Sequence, residues 1–242
     1  MADPINRTIL VTDVERFSSR VDGDQAVLRR VLYEVLRKTF AAASIYPTEY
    51  TTEDRGDGVF ALIDAKVPKA QLLRALITVT PAELREYNRR ASEVARVRMR
   101  CVVHSGEVAL DERGAIGAAV IDAFRICDSD DLKDELAKIA EPSLLCVTDL
   151  LYQSLVRHQH PGLVPEHFHP LDASSKDGHR DGWIYDRSRI HQESAASPEQ
   201  PKPRAAPSGA AAPAAGISFL GTTHVAGDAV GGNKYVGGDQ NG

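Results

Sequence analysis

The chain has 242 residues, 43% of them hydrophobic and 26% charged, ordinary globular proportions that allow one large core or two small ones. A net charge of −5, with no basic stripe and no interleaving of aromatic and Lys/Arg residues, excludes a protein that grips nucleic acid by neutralising phosphates. Cys101, Cys127 and Cys146 have no CxxC spacing, the N-terminus lacks an apolar core behind a basic start, and no run approaches bilayer length. These features point away from a disulfide framework, a thiolate zinc site and a membrane span, and toward a soluble cytoplasmic protein.

Thr8 to Asp13 (TILVTD) is a short, largely β-branched run ending at an acid, as in a buried strand whose end faces a site. After a turn-rich VERFSSRVDGD, Asp24 is placed to cap a helix whose apolar positions Val27, Leu28, Val31, Leu32, Val35, Leu36 and Phe40 recur at three and four. Thr48 to Asp54 and Val59 to Ile63 flank the tight RGDG of Arg55 to Gly58 and read as a hairpin with Asp57 at its tip. A helical region starts at Lys69 and is expected to be interrupted or restarted near Pro81. Val97 to His104 alternates like a strand, and GEVALDERG reads as a second strand and turn. Helices over Ile116 to Cys127 and Asp130 to Ala140, a strand over Leu144 to Val147 and a helix TDLLYQSLV complete the pattern. The order implies an α+β fold in which helices cover a mixed sheet.

The composition changes after about residue 190. An Ala/Pro-rich stretch over 191–216 reads as a flexible linker, because it cannot bury enough apolar surface to offset the entropy of ordering it. The last segment, 217–242, repeats Gly-Asp and Gly-Asn at short intervals and reads as a short Gly-rich β tail that orders on a protein partner or on another copy of itself; the plainer alternative is a disordered tail. His158, His160, His167 and His169 form two HxH pairs, a zinc-binding possibility outweighed by the commoner loop and edge-strand histidines.

Asp13 and Asp57 stand out because each ends or turns a strand. If the first strand and the hairpin are sheet neighbours, both carboxylates meet at one end of the sheet and offer hard oxygen ligands for Mg²⁺ or Mn²⁺ carrying a triphosphate. The plainer alternative is that both acids only shape turns.

ILVTDVERFS, DRGDGVFALI and VRMRCVVHSGEVALDERGAIGAAVIDAFRI, in that order, resemble the first metal-binding strand, the second-aspartate hairpin and the strand, turn and catalytic-helix block of the class III nucleotidyl cyclases. The resemblance spans roughly residues 6 to 187, within a domain drawn at 6–190, and implies a ferredoxin-like core. It implies that Asp13, Asp57 and the backbone at Val14 hold Mg²⁺ or Mn²⁺, and that the backbone from Val14 to Phe17 cradles the phosphates. Arg125 takes the place of the transition-state arginine, supplied across a homodimer interface from the other subunit. The implied reaction converts a nucleoside triphosphate to a 3′,5′-cyclic nucleotide and pyrophosphate.

The base-reading positions depart from the family pattern. Glu53 looks like a guanylate cyclase, whereas Gly114 offers no side-chain hydrogen bond, and Ile121 replaces the usual ribose-orienting asparagine beside Asp122. Tyr50 is a candidate to pack on a smaller base. The chain also resembles, in size and independence from receptors, the pyrimidine cyclases of bacterial antiphage defence, which make cyclic UMP or cyclic CMP for a separate effector. A purine cyclase and a non-catalytic signalling or adaptor module are the alternatives.

Overall fold

The computed structural model describes residues 3–175 and 178–187. The linker and tail expected over 191–242 lie outside the described residues. β1 (Ile5–Val14) leads to α1 (Asp22–Ala42), the hairpin β2 (Tyr50–Asp54) and β3 (Val59–Asp64), and α2 (Lys69–Asn88). Then come β4 (Met99–Asp111), β5 (Gly114–Ile116), α3 (Ala118–Asp128), α4 (Asp130–Lys138), β6 (Ser143–Thr148), α5 (Asp149–Ser154), β7 (Phe168–Ser175) and β8 (Gly178–Tyr185). Seven strands form one sheet in the order β2-β3-β1-β4-β6-β8-β7, and β5 folds back onto the far end of β4. Among the described residues only the β4–β6 pairing is parallel; the others are antiparallel.

The alternation of the central strands is apolar on both faces, so helices must cover both. Leu10, Ala61, Ile63, Cys101, Val103, Leu145 and Val147 face the core shared with α1 and α2. Their neighbours Ile9, Val11, Phe60, Leu62, Val102, Leu144 and Cys146 face the core shared with α3 and α4. β1 lies between β3 and β4, which brings its C-terminal end, with Asp13, beside the hairpin carrying Asp57.

Several boundaries differ from the sequence expectation. α1 begins at Asp22 with Val21 as a cap that makes no side-chain bond, so Asp24 lies within the first turn and acts there as an acid near the helix's positive end. α2 runs unbroken through Pro81, which is buried against the core; packing there outweighs the lost backbone bond. The two strands expected between Val97 and Asp111 are one long strand, and the turn follows it at Glu112 and Arg113. The β7–β8 hairpin is additional. It is anchored by Trp183, whose ring stacks on Tyr152 at 3.5 Å and whose indole N–H donates to Asp149 Oδ1 at 2.9 Å. Among the described residues no helix is long and apolar enough to cross a membrane.

Candidate functional site

The junction between β1 and the β2–β3 hairpin is locked by three local devices. Thr12 Oγ1 accepts from the Val59 N–H at 3.0 Å and donates to the Val59 carbonyl at 3.1 Å, so one buried hydroxyl satisfies both backbone groups just past the end of the β1–β3 ladder. Gly58 passes so close to β1 that a Cβ there would lie 1.8 Å from the Thr12 carbonyl oxygen. The Val14 N–H then donates to the Asp57 carbonyl at 2.8 Å. Asp57, exposed at the hairpin, is thereby tied to the backbone beside Asp13.

Asp13 is half-buried, and its pKa is raised from 3.8 to about 6. Burial is the largest cause, and the negative charges of Asp57 and Asp128 add to it, against opposing help from Arg100 and Lys133. The field of Asp57 on Asp13 follows from the hairpin lock: two carboxylates are held close enough to repel each other. A divalent cation between such groups removes that repulsion, and the donor chemistry fits Mg²⁺ or Mn²⁺. Among the described residues no group of three or more His, Cys, Asp or Glu is arranged to hold a metal. Two carboxylates supplemented by backbone, water and phosphate oxygens is the usual way Mg²⁺ is bound beside a nucleotide. The Val14 side chain is in the core, so only its backbone can take part.

Arg100, directly opposite Asp13 across the β1–β4 ladder, escaped the sequence reading. Its guanidinium pairs with Asp13 Oδ2, its side chain is only 7% exposed, and its Nε is buried without a hydrogen-bond partner. A buried arginine with unspent donors beside two acids is suited to an anion brought in with a cation. The sequence signal was Arg100 itself, a charge in the middle of the otherwise apolar MRCVV. Asp128 and Lys133 also act on Asp13, brought there by the tight α3–α4 junction in which Ser129 Oγ accepts from Leu132 N–H at 3.3 Å. Their contribution depends on that turn and has no local motif.

Phe17 is buried in the core, and the connection from β1 to α1 bends through Arg16 at a φ of 56°. The start of α1 follows, with Asp22 and Asp24 in its first turn and the Asp24 and Gln25 N–H groups donating to the Val21 carbonyl. Arg125 and Asp122 lie half-buried on α3, and Ile121 is 52% exposed on the same helix. The leading charges on Asp13 within one chain come from Arg100, Asp57, Asp128 and Lys133 rather than from Arg125.

Glu53 and Gly114 are brought together, since a Cβ at Gly114 would sit 3.4 Å from Glu53 Oε1. Tyr50 is not brought to them. Residues alternate along β2, so Tyr50 and Thr52 face a groove of about 650 Å³ against α1, and the Tyr50 ring packs on Phe40 at 4.6 Å. His167 packs edge-on to Tyr185 and His169 Nε2 is 3.1 Å from the Asp186 carbonyl oxygen, which accounts for one HxH pair without metal.

No family model and no curated protein sequence matches the chain. Solved structures do. An adenylate/guanylate cyclase/hydrolase from Silicibacter pomeroyi is 20% identical, with 76% of this chain and 98% of that one covered and a TM-score of 0.53. The guanylyl cyclase Cya2 is 16% identical over 76% and 92% of the two chains, TM-score 0.51. A bacterial light-regulated adenylyl cyclase is 14% identical over 76% and 91%, TM-score 0.54. Similarity at this level establishes the fold, that of class III adenylate and guanylate cyclase catalytic domains.

Proposed function

We propose that the chain is a nucleotidyl cyclase that converts a nucleoside triphosphate to a 3′,5′-cyclic nucleotide and pyrophosphate. The carrying observation is the lock that holds Asp57 beside Asp13, with the carboxylates repelling each other, inside a cyclase catalytic fold. Asp13, Asp57 and the Val14 backbone hold Mg²⁺ or Mn²⁺. When bound, the ions lower the pKa of the attacking hydroxyl and neutralise charge on the leaving pyrophosphate. Arg100 orients Asp13 through its ion pair and keeps its remaining donors for the polyphosphate. Of the backbone from Val14 to Phe17, the N–H groups of Arg16 and Phe17 are the ones that cradle phosphate, because those of Val14 and Glu15 donate to the Asp57 and Arg98 carbonyls. Arg125, lent by a second copy in a homodimer, meets the charge that builds on the α-phosphate as the ribose 3′-hydroxyl attacks. Asp122 and Ile121 then lie by the ribose.

Glu53 and Gly114 flank the base. Gly114 offers no side-chain hydrogen bond to specify a purine; with the resemblance to the pyrimidine cyclases of antiphage defence, this is the basis for proposing a cyclic UMP or cyclic CMP product that signals to a separate effector. The full chain, incubated with each of the four nucleoside triphosphates and Mn²⁺, yields a cyclic nucleotide by mass spectrometry, and Asp57→Ala abolishes it. Four nucleotides that all stay linear overturn the proposal. The exposed Ile121 favours a second reading, a dimeric nucleotide-binding module without turnover, which predicts metal-dependent nucleotide binding and no product.

A further inference from the structure

The groove between α1 and β2 runs the length of β2, from Arg29 beside Asp54 to Phe40 beside Tyr50. Its floor is apolar, with Leu36 and Val59 buried and the Tyr50 ring tilted on Phe40. Its rim is cationic: Arg29, Arg30 and Arg37 line it against one acid, Glu34. Two of the three are answered locally. Arg37 grips Glu34 through Nε at 2.8 Å and Nη2 at 2.7 Å, and Arg29 pairs with Asp54, which also accepts from the Tyr33 hydroxyl at 2.8 Å. Arg30 is exposed and has no hydrogen-bond or ion-pair partner among the described residues. In a chain whose acids outnumber its lysines and arginines by 34 to 29, this rim is a local reversal of sign.

The other wall of the groove is a sheet edge. β2 is the outermost strand on its side of the sheet, and no described strand pairs with its free edge. The phase of its ladder is fixed at the hairpin: the Arg55 N–H donates to the Gly58 carbonyl at 3.0 Å, while Val59 turns its own N–H and carbonyl to Thr12 on β1. Counting back along the β2–β3 register, Glu53 and Thr51 bond to β3, and the backbone groups of Tyr50, Thr52 and Asp54 point outward. The same Tyr50 and Thr52 present their side chains to the groove. A strand of five residues, spanning about 17 Å, therefore offers donors and acceptors at every second residue beside an apolar trough and a cationic helix.

We infer that this groove docks an extended acidic peptide of another protein, which adds as a strand to the free edge of β2 and lays its groove-facing side chains against α1. Backbone pairing supplies the register. An apolar side chain fills the trough over Phe40 and Tyr50, and an acidic one at i+2 meets Arg30. A symmetric pairing of two copies through this edge is disfavoured, because it brings the same arginines toward each other. The groove lies on the face of β2 opposite Glu53, so the peptide does not compete for the place proposed for the base.

The test selects short random linear peptides, displayed on phage, on the full chain without nucleotide, so its outcome is independent of turnover. The selected sequences carry acidic and bulky apolar residues at i and i+2. One of them, made synthetically, slows exchange of the Tyr50, Thr52 and Asp54 amide hydrogens at least about 10-fold. Arg30→Glu weakens its binding at least about 10-fold, and Lys in place of the acidic residue of the peptide recovers most of the loss. Thr52→Pro removes an outward donor at a position that gives no N–H to the β3 ladder, and lowers affinity by a similar factor. A library without binders, binders without acidic residues, affinities untouched by both variants, or protection confined to other amides overturns the inference. A smaller assembly of the Arg30→Glu chain by native mass spectrometry also overturns it, since the groove then belongs to a second copy.

Discussion

At the scale of single residues, the proposed chemistry turns on Asp13. A carboxyl whose folded-state pKa stands at about 6, above its ordinary 3.8, is held more tightly to its proton in the folded chain than in the unfolded one. Its ionisation therefore costs stability: nothing is lost below 3.8, and the loss accumulates as pH rises to about 6, on the order of 3 kcal/mol in full. A bound cation reverses this cost and must displace the proton below about pH 6. Mn²⁺ thus raises the Tm at about pH 7.5 and raises it much less at about pH 5, read by calorimetry. Equal shifts at both values would place the ion elsewhere. Asp57→Asn removes part of the repulsion and a proposed metal ligand together. It cuts cyclase activity by at least about 100-fold while the Tm stays within about 2 °C, because Asp57 is exposed and its structural bond is made by its backbone carbonyl. Asp13 and Asp57 were legible as candidates because each sits where a strand ends or turns. Arg100 was not, because its role depends on the register that sets it opposite Asp13.

At the scale of elements, the hairpin lock is what brings two acids distant in sequence together as one candidate site. Gly58→Ala forces the β1 carbonyl away and destabilises the chain by about 3 kcal/mol. Thr12→Val preserves shape but strips the buried Val59 N–H and carbonyl of their partner, at a cost of about 2 kcal/mol or more. Both appear as a lower urea midpoint with an unchanged slope, and midpoints equal to wild type would mean that the hairpin is held by other contacts. The helices and central strands were readable from their periodicity, and the RGDG turn from its glycines. Pro81 misled because burial of its ring outweighs the helix-breaking tendency of an isolated proline. The β7–β8 hairpin was missed because FHPLDASS carries a proline and polar residues that do not alternate. It is a sheet-edge pair positioned by Trp183 and Tyr152 rather than by its own pattern.

At the scale of the whole molecule, one sheet with helices on both faces was legible from the order of elements, since apolar runs such as TILV demand cover on both sides. The relation between Arg125 and the acids was not legible from residue patterns. It entered through family resemblance, and in one chain the nearest compensating charges on Asp13 are Arg100 and Lys133. If a second copy completes the site, the segment 191–242 is dispensable for chemistry. A chain ending at residue 190 then retains cyclase activity within about 3-fold, and a larger loss would assign that segment a part in the site.

The most direct measurement mixes two inactive proteins, Asp57→Ala and Arg125→Ala, after a denaturation and refolding step that lets subunits exchange. Half of the randomly paired dimers then contain one intact site of two, so activity returns to about one quarter of wild type. A mixture that forms heterodimers by native mass spectrometry and yet stays as inactive as its parents would contradict a site built from the acids of one subunit and the arginine of the other.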